Sequence, residues 1–175
     1  KDEIISKKLS ADVTEMEKML NEYLQFASSG SKEKTETFNL SELLENTINK
    51  YEKKEITFNI SKRIYFDGRK NLIQRCFNNL IDNAIKYSEN ISVTSTKSNN
   101  NLLIIFDDDG PGISEKEREN VFKPFYKVDK GRNDSKSSVG LGLSIAADII
   151  RSHGGNIKLE ESPSNGLRVK IFLPF

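Results

Sequence analysis

One segment of the sequence combines consecutive acidic residues with two glycines. An apolar run is followed there by Asp107-Asp108-Asp109-Gly110-Pro111-Gly112. Adjacent like charges repel one another, so three consecutive carboxylates destabilise the fold locally. Such a run is expected where at least one of the carboxylates has a functional role. The glycines allow the main chain to turn sharply or to approach a flat group closely. A buried carboxylate there could accept a hydrogen bond from an exocyclic amine such as that of adenine, but an acidic Gly-Pro-Gly segment is more often only a turn.

A second pair of glycines, Gly140 and Gly142, stands where a helix is predicted to begin. The free N–H groups and the positive dipole end of a helix N-terminus favour a phosphate. In isolation, a glycine-rich helix start without a ligand is the commoner case. The segment is not a Walker A loop, because no Gly-Lys-Ser/Thr follows, and its glycine spacing is not that of a Rossmann fingerprint.

Two asparagines, Asn79 and Asn83, lie one turn apart in a predicted helix with apolar neighbours. Asparagine is a mediocre helix former, so the pair needs a reason. The neutral amide oxygen of Asn83 suits a Mg²⁺ ion that keeps water and phosphate ligands, and Asn79 could hold phosphate or metal-bound water. Lys86 adds a counter-charge for phosphate. The alternative is hydrogen bonding between helix and sheet in a polar core.

Hydrophobic periodicity predicts the elements that position these residues. Helices are expected at 41–53, 70–87, 115–121 and from Gly140 to His153, and strands at 35–39, 56–60, 63–66, 91–96, 102–106, 157–161 and 167–173. Ser114 is the predicted N-cap of the short helix at 115–121, and 123–139 is expected to be a long mobile loop. Hairpins outnumber βαβ crossovers, which indicates an α/β sandwich with a mixed sheet covered on one face.

Composition limits the class of protein. The chain has 175 residues, 35% hydrophobic and 30% charged, which suits one soluble globular domain with one attached element. Its net charge of +1 gives no overall field for nucleic acid or an anionic membrane. One cysteine, Cys76, excludes an intramolecular disulfide, and one histidine, His153, excludes poly-His zinc sites. Cys76 is expected in the core, although a thiol near the ligand is the alternative.

The first 28 residues carry a heptad pattern. Its apolar positions are Ile5, Leu9, Val13, Met16, Leu20, Tyr23 and Ala27. A helix with one apolar stripe needs a partner helix, and the Ser/Gly-containing run that follows predicts a domain boundary. The alternative is a helix that packs on the following domain. No window approaches the roughly 18 apolar residues of a membrane-spanning helix. Because the chain begins with Lys1, we expect an excised or processed piece of a longer protein.

Four segments, taken in order, resemble the N, G1, F and G2 boxes of bacterial sensor histidine kinases. They are Asn79 to Tyr87, Asp108 to Gly112, Phe122-Lys123-Pro124-Phe125 and Gly140 to Leu143. The resemblance implies an α+β fold, a Bergerat-type α/β sandwich with about three helices on a mixed sheet, preceded by one long coiled-coil-type helix. It divides the chain into the second helix of a dimerisation and phosphotransfer hairpin (1–29), a linker (30–36) and a catalytic ATP-binding domain (37–175), with similarity to the EnvZ class.

The same resemblance implies roles for individual residues. Asp108 would read adenine, beside the turn made by Gly110, Gly112 and Ile113, and Asn83 would bind Mg²⁺. Asn79, Lys86 and Lys127 are the implied catalytic residues. The remaining implied nucleotide contacts are Tyr87, Arg132, Gly140, Leu141, Gly142 and Leu143, with Phe122 and Phe125 as anchors of a lid. Ser138 stands where the family has another glycine, which makes the phosphate approach there differ from the family pattern.

The implied activity is transfer of the ATP γ-phosphate, with Mg²⁺ as cofactor, to a histidine on a hairpin helix that this chain lacks. The phosphate would then pass to an aspartate of a response-regulator receiver domain. We expect a homodimer through the N-terminal helix, no nucleic-acid partner, and the cytoplasmic portion of an inner-membrane receptor whose membrane segments precede Lys1. His153 is not expected to be the phosphoacceptor, so the chain alone should not autophosphorylate. The alternatives are a nucleotide-sensing interaction module without catalysis, or a related Bergerat-fold ATPase or protein serine kinase.

Overall fold

A computed structural model describes residues 33–51, 55–98, 100–128 and 139–175, and eight helical positions between 9 and 24. In the main part the strands are β1 (Glu36–Asn39), β2 (Ile56–Asn59), β3 (Tyr65–Gly68), β4 (Ile91–Ser98), β5 (Asn101–Asp108), β6 (Asn156–Glu161) and β7 (Leu167–Pro174). The α-helices there are α1 (Leu40–Ile48), α2 (Lys70–Tyr87) and α3 (Gly142–Arg151). Two 3-10 turns, Glu115–Glu117 and Asn120–Phe122, lie between β5 and α3.

The main sheet has five strands in the order β2-β4-β5-β7-β6. Strand β2 is parallel to β4, and every other neighbouring pair is antiparallel, so the sheet is mixed. Strands β1 and β3 form a separate antiparallel pair. Alternate residues of β5 are buried, including Leu102, Ile104 and Phe106, because α2 and α3 cover that face. The expected α/β sandwich is confirmed.

Helix α2 has the bounds that its periodicity predicts, because its apolar face is long and regular. Phe77 is fully buried and packs on Phe106 of β5, with ring centroids 6.2 Å apart. Cys76 is also fully buried, with its Sγ 3.8 Å from the carbonyl oxygen of Ala146 in α3. Burial raises the pKa of the Cys76 thiol, so this residue is a core residue and not a reactive thiol.

Helix α1 is shorter than the predicted helix at 41–53, since it ends at Ile48. It begins after Asn39, whose side-chain oxygen accepts a hydrogen bond from the Glu42 N–H at 3.3 Å. The strand predicted at 63–66 begins at Tyr65 and pairs with β1 instead of joining the main sheet. The N-cap fixes where α1 begins, and pairing with β1 fixes the bounds of β3; periodicity reveals neither contact.

Two predicted helices near the glycine segments, at 115–121 and from Gly140, need correction. The expected helix at 115–121 is two separate 3-10 turns, and the Ser114 side chain makes no capping hydrogen bond. Helix α3 begins at Gly142 and not at Gly140, because Gly140 has a φ of +77° and cannot be part of a right-handed helix. Both corrections place more irregular main chain beside the candidate site than the sequence indicated.

The N-terminal heptad pattern is described only at some of its positions. Leu9, Val13, Met16 and Leu20 are helical and between 48% and 67% exposed. The other predicted members, Ile5, Tyr23 and Ala27, lie outside the described residues. In the part of the chain that the structure describes, no helix combines the length and apolar character needed to cross a membrane.

Candidate nucleotide-binding site

Each of the three consecutive aspartates at the end of β5 has partners of its own. Asp107 lies on the sheet face opposite the helices and forms a two-point ion pair with Arg168, at 2.7 and 2.8 Å. Asp109 accepts hydrogen bonds at 2.9 Å from the N–H groups of Glu89 and Asn90, in the loop after α2. The bonds from Asn90 lower the pKa of Asp109. The like charges are therefore separated into three environments.

Asp108 is the buried member of the three, with 8% of its surface exposed. Its Oδ1 accepts hydrogen bonds from the N–H groups of Gly110 and Leu167, both at 2.9 Å. Its Oδ2 accepts none from any described residue. Burial raises the pKa of Asp108, and the two N–H donors oppose that shift. The carboxylate is thus fixed through one oxygen and leaves the other as an acceptor for a ligand.

The turn after Asp108 packs against protein on both sides. A Cβ on Gly110 would lie 2.8 Å from the carbonyl oxygen of Tyr87, so the turn contacts the C-terminal end of α2. Gly112 has a φ of +67°, and its Cβ would lie 3.3 Å from the carbonyl oxygen of Gly166. The close approach that these glycines allow is therefore, at least in part, an approach of main chain to main chain.

Asn79 contributes a second unsatisfied polar group. Its Nδ2 is buried and has no hydrogen-bond partner among the described residues, which is unusual for a buried amide. The half-buried Asn83, one turn later, makes no side-chain hydrogen bond to any described residue. The described residues contain no cluster of three or more His, Cys, Asp or Glu that could hold a metal ion. The amide oxygen of Asn83 is a ligand type that suits an ion that keeps phosphate and water ligands.

The C-terminal end of α2 borders a cavity of about 270 Å³. Its walls are Ile85, Lys86, Tyr87, Ser88, Glu89 and Asp109. Lys86 lies over the exposed Tyr87 ring, with its Nζ 4.9 Å from the ring centroid. The cavity includes two of the residues predicted to bind nucleotide, but Asp108 and Asn83 are not on its walls, so it covers only one edge of the candidate site.

The F and G2 segments are joined by their main chains. The N–H of Phe125 donates to the carbonyl oxygen of Gly140 at 3.0 Å. A Cβ on Gly140 would lie 2.8 Å from the carbonyl oxygen of Tyr126. Phe122 packs against the core, whereas Phe125 is 54% exposed and has a φ of +65°. The structure thus places the main chains of the two segments in contact, and of the two predicted lid anchors Phe122 packs against the core whereas Phe125 does not.

Several predicted contacts offer only their main chain. The side chains of Leu141, Leu143 and Ile113 pack in or against the hydrophobic core.

The predicted phosphate contacts between the F and G2 segments are only partly described. Lys127 is exposed and makes no hydrogen bond or ion pair with any described residue. Arg132 and Ser138 lie outside the described residues.

Sequence reasoning missed the turn between β6 and β7. Ser162 and Gly166 contact Asp108 directly, and the N–H of Leu167 holds its carboxylate. In the sequence, Ser164-Asn165-Gly166 reads only as a hairpin turn, because the contact spans 54 to 59 residues. The local signal in the sequence is a glycine, Gly166, directly before an apolar strand.

The sandwich fold and these segments define an ATP-binding domain, and comparison with known proteins gives its family. Residues 68–175 match the family described as histidine kinase-, DNA gyrase B-, and HSP90-like ATPase, and the chain belongs to this family. GtrS, a sensor histidine kinase of Pseudomonas aeruginosa, is 30% identical over 177 residues, covering 99% of this chain and 36% of that protein. CpxA, a sensor histidine kinase of Escherichia coli, is 40% identical over 108 residues, covering 61% and 24%.

Solved structures of histidine kinases have a similar fold. The catalytic domain of histidine kinase ThkA has a TM-score of 0.69 at 28% identity, with 81% of this chain and 95% of that chain covered. The mycobacterial sensor histidine kinase MprB has a TM-score of 0.70 at 23% identity, with 80% and 97% covered, and supports the fold alone. This chain corresponds to the catalytic ATP-binding part of such kinases. It spans 24% and 36% of the length of CpxA and GtrS.

Proposed function

We propose that this chain binds ATP with Mg²⁺ and, within a longer protein, presents the γ-phosphate to a histidine on a dimerisation hairpin, from which it passes to a response-regulator aspartate. A pair of groups without partners among the described residues carries the proposal: buried Asp108 leaves Oδ2 as an acceptor, and Asn79 buries Nδ2 as a donor. An acceptor for the adenine amine and a donor for a phosphate oxygen are what ATP requires.

The other residue roles follow from the same placement. Asn83 would supply an amide oxygen to Mg²⁺, and the ion, when bound, neutralises charge on the phosphates. Lys86, with Lys127 or Arg132, would contact phosphate, and Tyr87 would contact the base. The main chain of 140–143 would receive phosphate at the N-terminus of α3. This arrangement acts by positioning and charge, as phosphoryl transfer requires.

The chain's single histidine is a poor phosphoacceptor. The Nε2 of His153 accepts a hydrogen bond from the N–H of Arg69 at 3.0 Å, and its Nδ1 lies 2.7 Å from the carbonyl oxygen of Ile149. Both ring nitrogens are thus engaged with main chain. We therefore infer that the acceptor lies on a hairpin of which residues 1–29 are the second helix, joined by a linker (30–36) to an ATP-binding domain (37–175).

The wider setting is part of the proposal. The exposed apolar positions Leu9, Val13, Met16 and Leu20 suit a homodimer through the N-terminal helix. A receiver domain would be the second protein partner, since relatives are sensor histidine kinases, and the proposed location is the cytoplasmic side of an inner-membrane receptor.

Calorimetric titration with ADP, with and without Mg²⁺, tests nucleotide binding. The native chain should bind ADP, and Asp108→Asn should bind it at least about tenfold more weakly, because an amide N–H₂ cannot accept from the adenine amine. Asp107→Asn is the matched control, since Asp107 faces the other side of the sheet, and it should bind like the native chain. Equal affinity of native chain and Asp108→Asn would contradict the proposed base contact.

Transfer is tested separately. The chain is incubated with labelled ATP, Mg²⁺ and a separate hairpin domain that carries the acceptor histidine, and acid-labile phosphate is measured on that domain. We expect label on the hairpin and none on His153. Tight ATP binding without transfer would instead favour a nucleotide-sensing module, and label on His153 would overturn the assignment of the acceptor.

A further inference from the structure

The turn between β6 and β7 is folded around the main chain of Asp108. The buried Ser162 Oγ donates to the Asp108 carbonyl oxygen at 2.6 Å. The same Oγ accepts hydrogen bonds from the N–H groups of Ser164 at 3.2 Å and Gly166 at 2.9 Å. One donor and two acceptor positions are all that a hydroxyl has, so Ser162 is fully used in joining this turn to Asp108.

Gly166 lies directly against the same residue. A Cβ at this position would lie 2.1 Å from the carbonyl oxygen of Asp108 and 2.6 Å from its Oδ1, distances that no side chain could occupy. The absence of a side chain lets the next residue, Leu167, place its N–H 2.9 Å from Oδ1. The turn therefore holds both the main chain and one carboxylate oxygen of Asp108.

We propose that Ser162 and Gly166 are positioning residues that aim the free Oδ2 of Asp108 at the adenine amine, and so set the preference for adenine over purines without that amine. The inference rests on the proposed function. With the carbonyl and Oδ1 both held, neither the main chain nor the side-chain torsion of Asp108 can rotate freely, and the direction of Oδ2 is determined. Recognition groups held in this way by supporting residues discriminate best.

A purely structural turn would have a different signature from a positioning turn. A structural role predicts that weakening the turn lowers stability and reduces affinity for all nucleotides alike. A positioning role predicts loss confined to ligands that use Oδ2. Inosine diphosphate is the suitable probe, because it keeps the ribose and phosphates of ADP but carries an oxo group in place of the amine.

The experiment measures the affinities of Ser162→Ala for ADP and inosine diphosphate in the presence of Mg²⁺. We expect the native chain to prefer ADP, and Ser162→Ala to bind ADP about tenfold more weakly with inosine diphosphate changed less than about twofold. Ser164→Ala is the matched control, since its exposed side chain makes no hydrogen bond to any described residue, and it should keep the native ratio. Ser162→Thr, which retains the hydroxyl, should restore at least part of the preference.

Equal losses for both nucleotides in Ser162→Ala, or an unchanged ratio, would overturn the inference. Failure of the native chain to bind ADP would instead count against the proposed function. If Ser162→Ala does not fold, amide NMR spectra of the native chain decide. The signals of Gly110, Gly166 and Leu167 should differ between the ADP and inosine diphosphate complexes, and identical signals in the two complexes would reject the positioning role.

Discussion

Gly142 lies against Asn79, so that a Cβ built on Gly142 would be 3.9 Å from the Cβ of Asn79. The start of α3 thus borders the one buried side-chain nitrogen or oxygen that has no partner among the described residues, Nδ2 of Asn79. Leaving such a group unsatisfied costs about 1–3 kcal/mol. A cost of this size inside a packed helix pair is understandable if a ligand atom supplies the missing acceptor.

Replacement of this amide separates stability from binding. Asn79→Leu removes the unsatisfied donor while keeping a similar volume, so we expect the free energy of unfolding to rise by about 1 kcal/mol. Nucleotide binding should fall at least about tenfold, because the donor to phosphate is lost. Urea denaturation and calorimetric titration with ADP measure the two effects.

The neighbouring half-buried Asn78 provides the control, since Asn78→Leu makes the same chemical change at an adjacent position of α2. This variant should bind ADP like the native chain. A clear loss of stability in Asn79→Leu would show that the amide has a structural partner, and would remove the argument for a ligand contact.

Gly140 and Gly142 are two residues apart, yet the structure gives them different reasons to be glycine. Gly140 has a φ of +77° and no space for a Cβ beside Tyr126, so Gly140→Ala should lower the free energy of unfolding by about 1–3 kcal/mol. Gly142 is helical and meets only ordinary contacts, so Gly142→Ala should be neutral or stabilising by up to about 1 kcal/mol.

The variant that keeps stability, Gly142→Ala, is expected to lose affinity for ADP. Gly142→Ala should weaken ADP binding severalfold while stability is kept, because the added methyl group stands at the helix N-terminus proposed to receive phosphate. Thermal unfolding and calorimetry on the same samples test this. Unchanged ADP affinity in a stable Gly142→Ala would place the phosphates elsewhere.

The sequence predicted α2 and both long hairpins well, since each has strong local periodicity and clear turn residues between strands. The family resemblance came from the order of the four boxes, because no single box is specific and spacing alone gives no distances.

The rest depends on contacts between distant residues. Tyr51, in the segment that follows α1, donates to Asp82 at 2.8 Å, across 31 positions, and thereby ties this segment to the turn of α2 that carries Asn83. Burial raises the pKa of Tyr51, and the hydrogen bond to Asp82 and the negative charge of that carboxylate raise it further. Ser162 contacts Asp108 across 54 positions. Pairings of this kind are set by the packed fold, and a local pattern does not encode them.

His153 joins the C-terminal end of α3 to the segment before α2. Its ring packs on Phe66, with centroids 6.1 Å apart, and Nε2 accepts from the Arg69 N–H. An acceptor at Nε2 requires the neutral ring with its proton on Nδ1, which then donates to the Ile149 carbonyl. Burial is the main cause that lowers the pKa of His153, Arg69 lowers it further, and Ile149 and Glu33 oppose the shift.

Because the folded chain disfavours the charged ring, His153 stabilises the fold above its unfolded pKa of about 6.5, and this stabilisation is lost as pH falls through that value toward the folded pKa. The urea midpoint of the native chain should therefore drop between about pH 7.5 and about pH 5.5. His153→Gln keeps an acceptor for Arg69 without titrating, and should show a smaller drop. Since the chain has a single histidine, equal drops in both proteins would assign the pH dependence to carboxylates and contradict this account of His153.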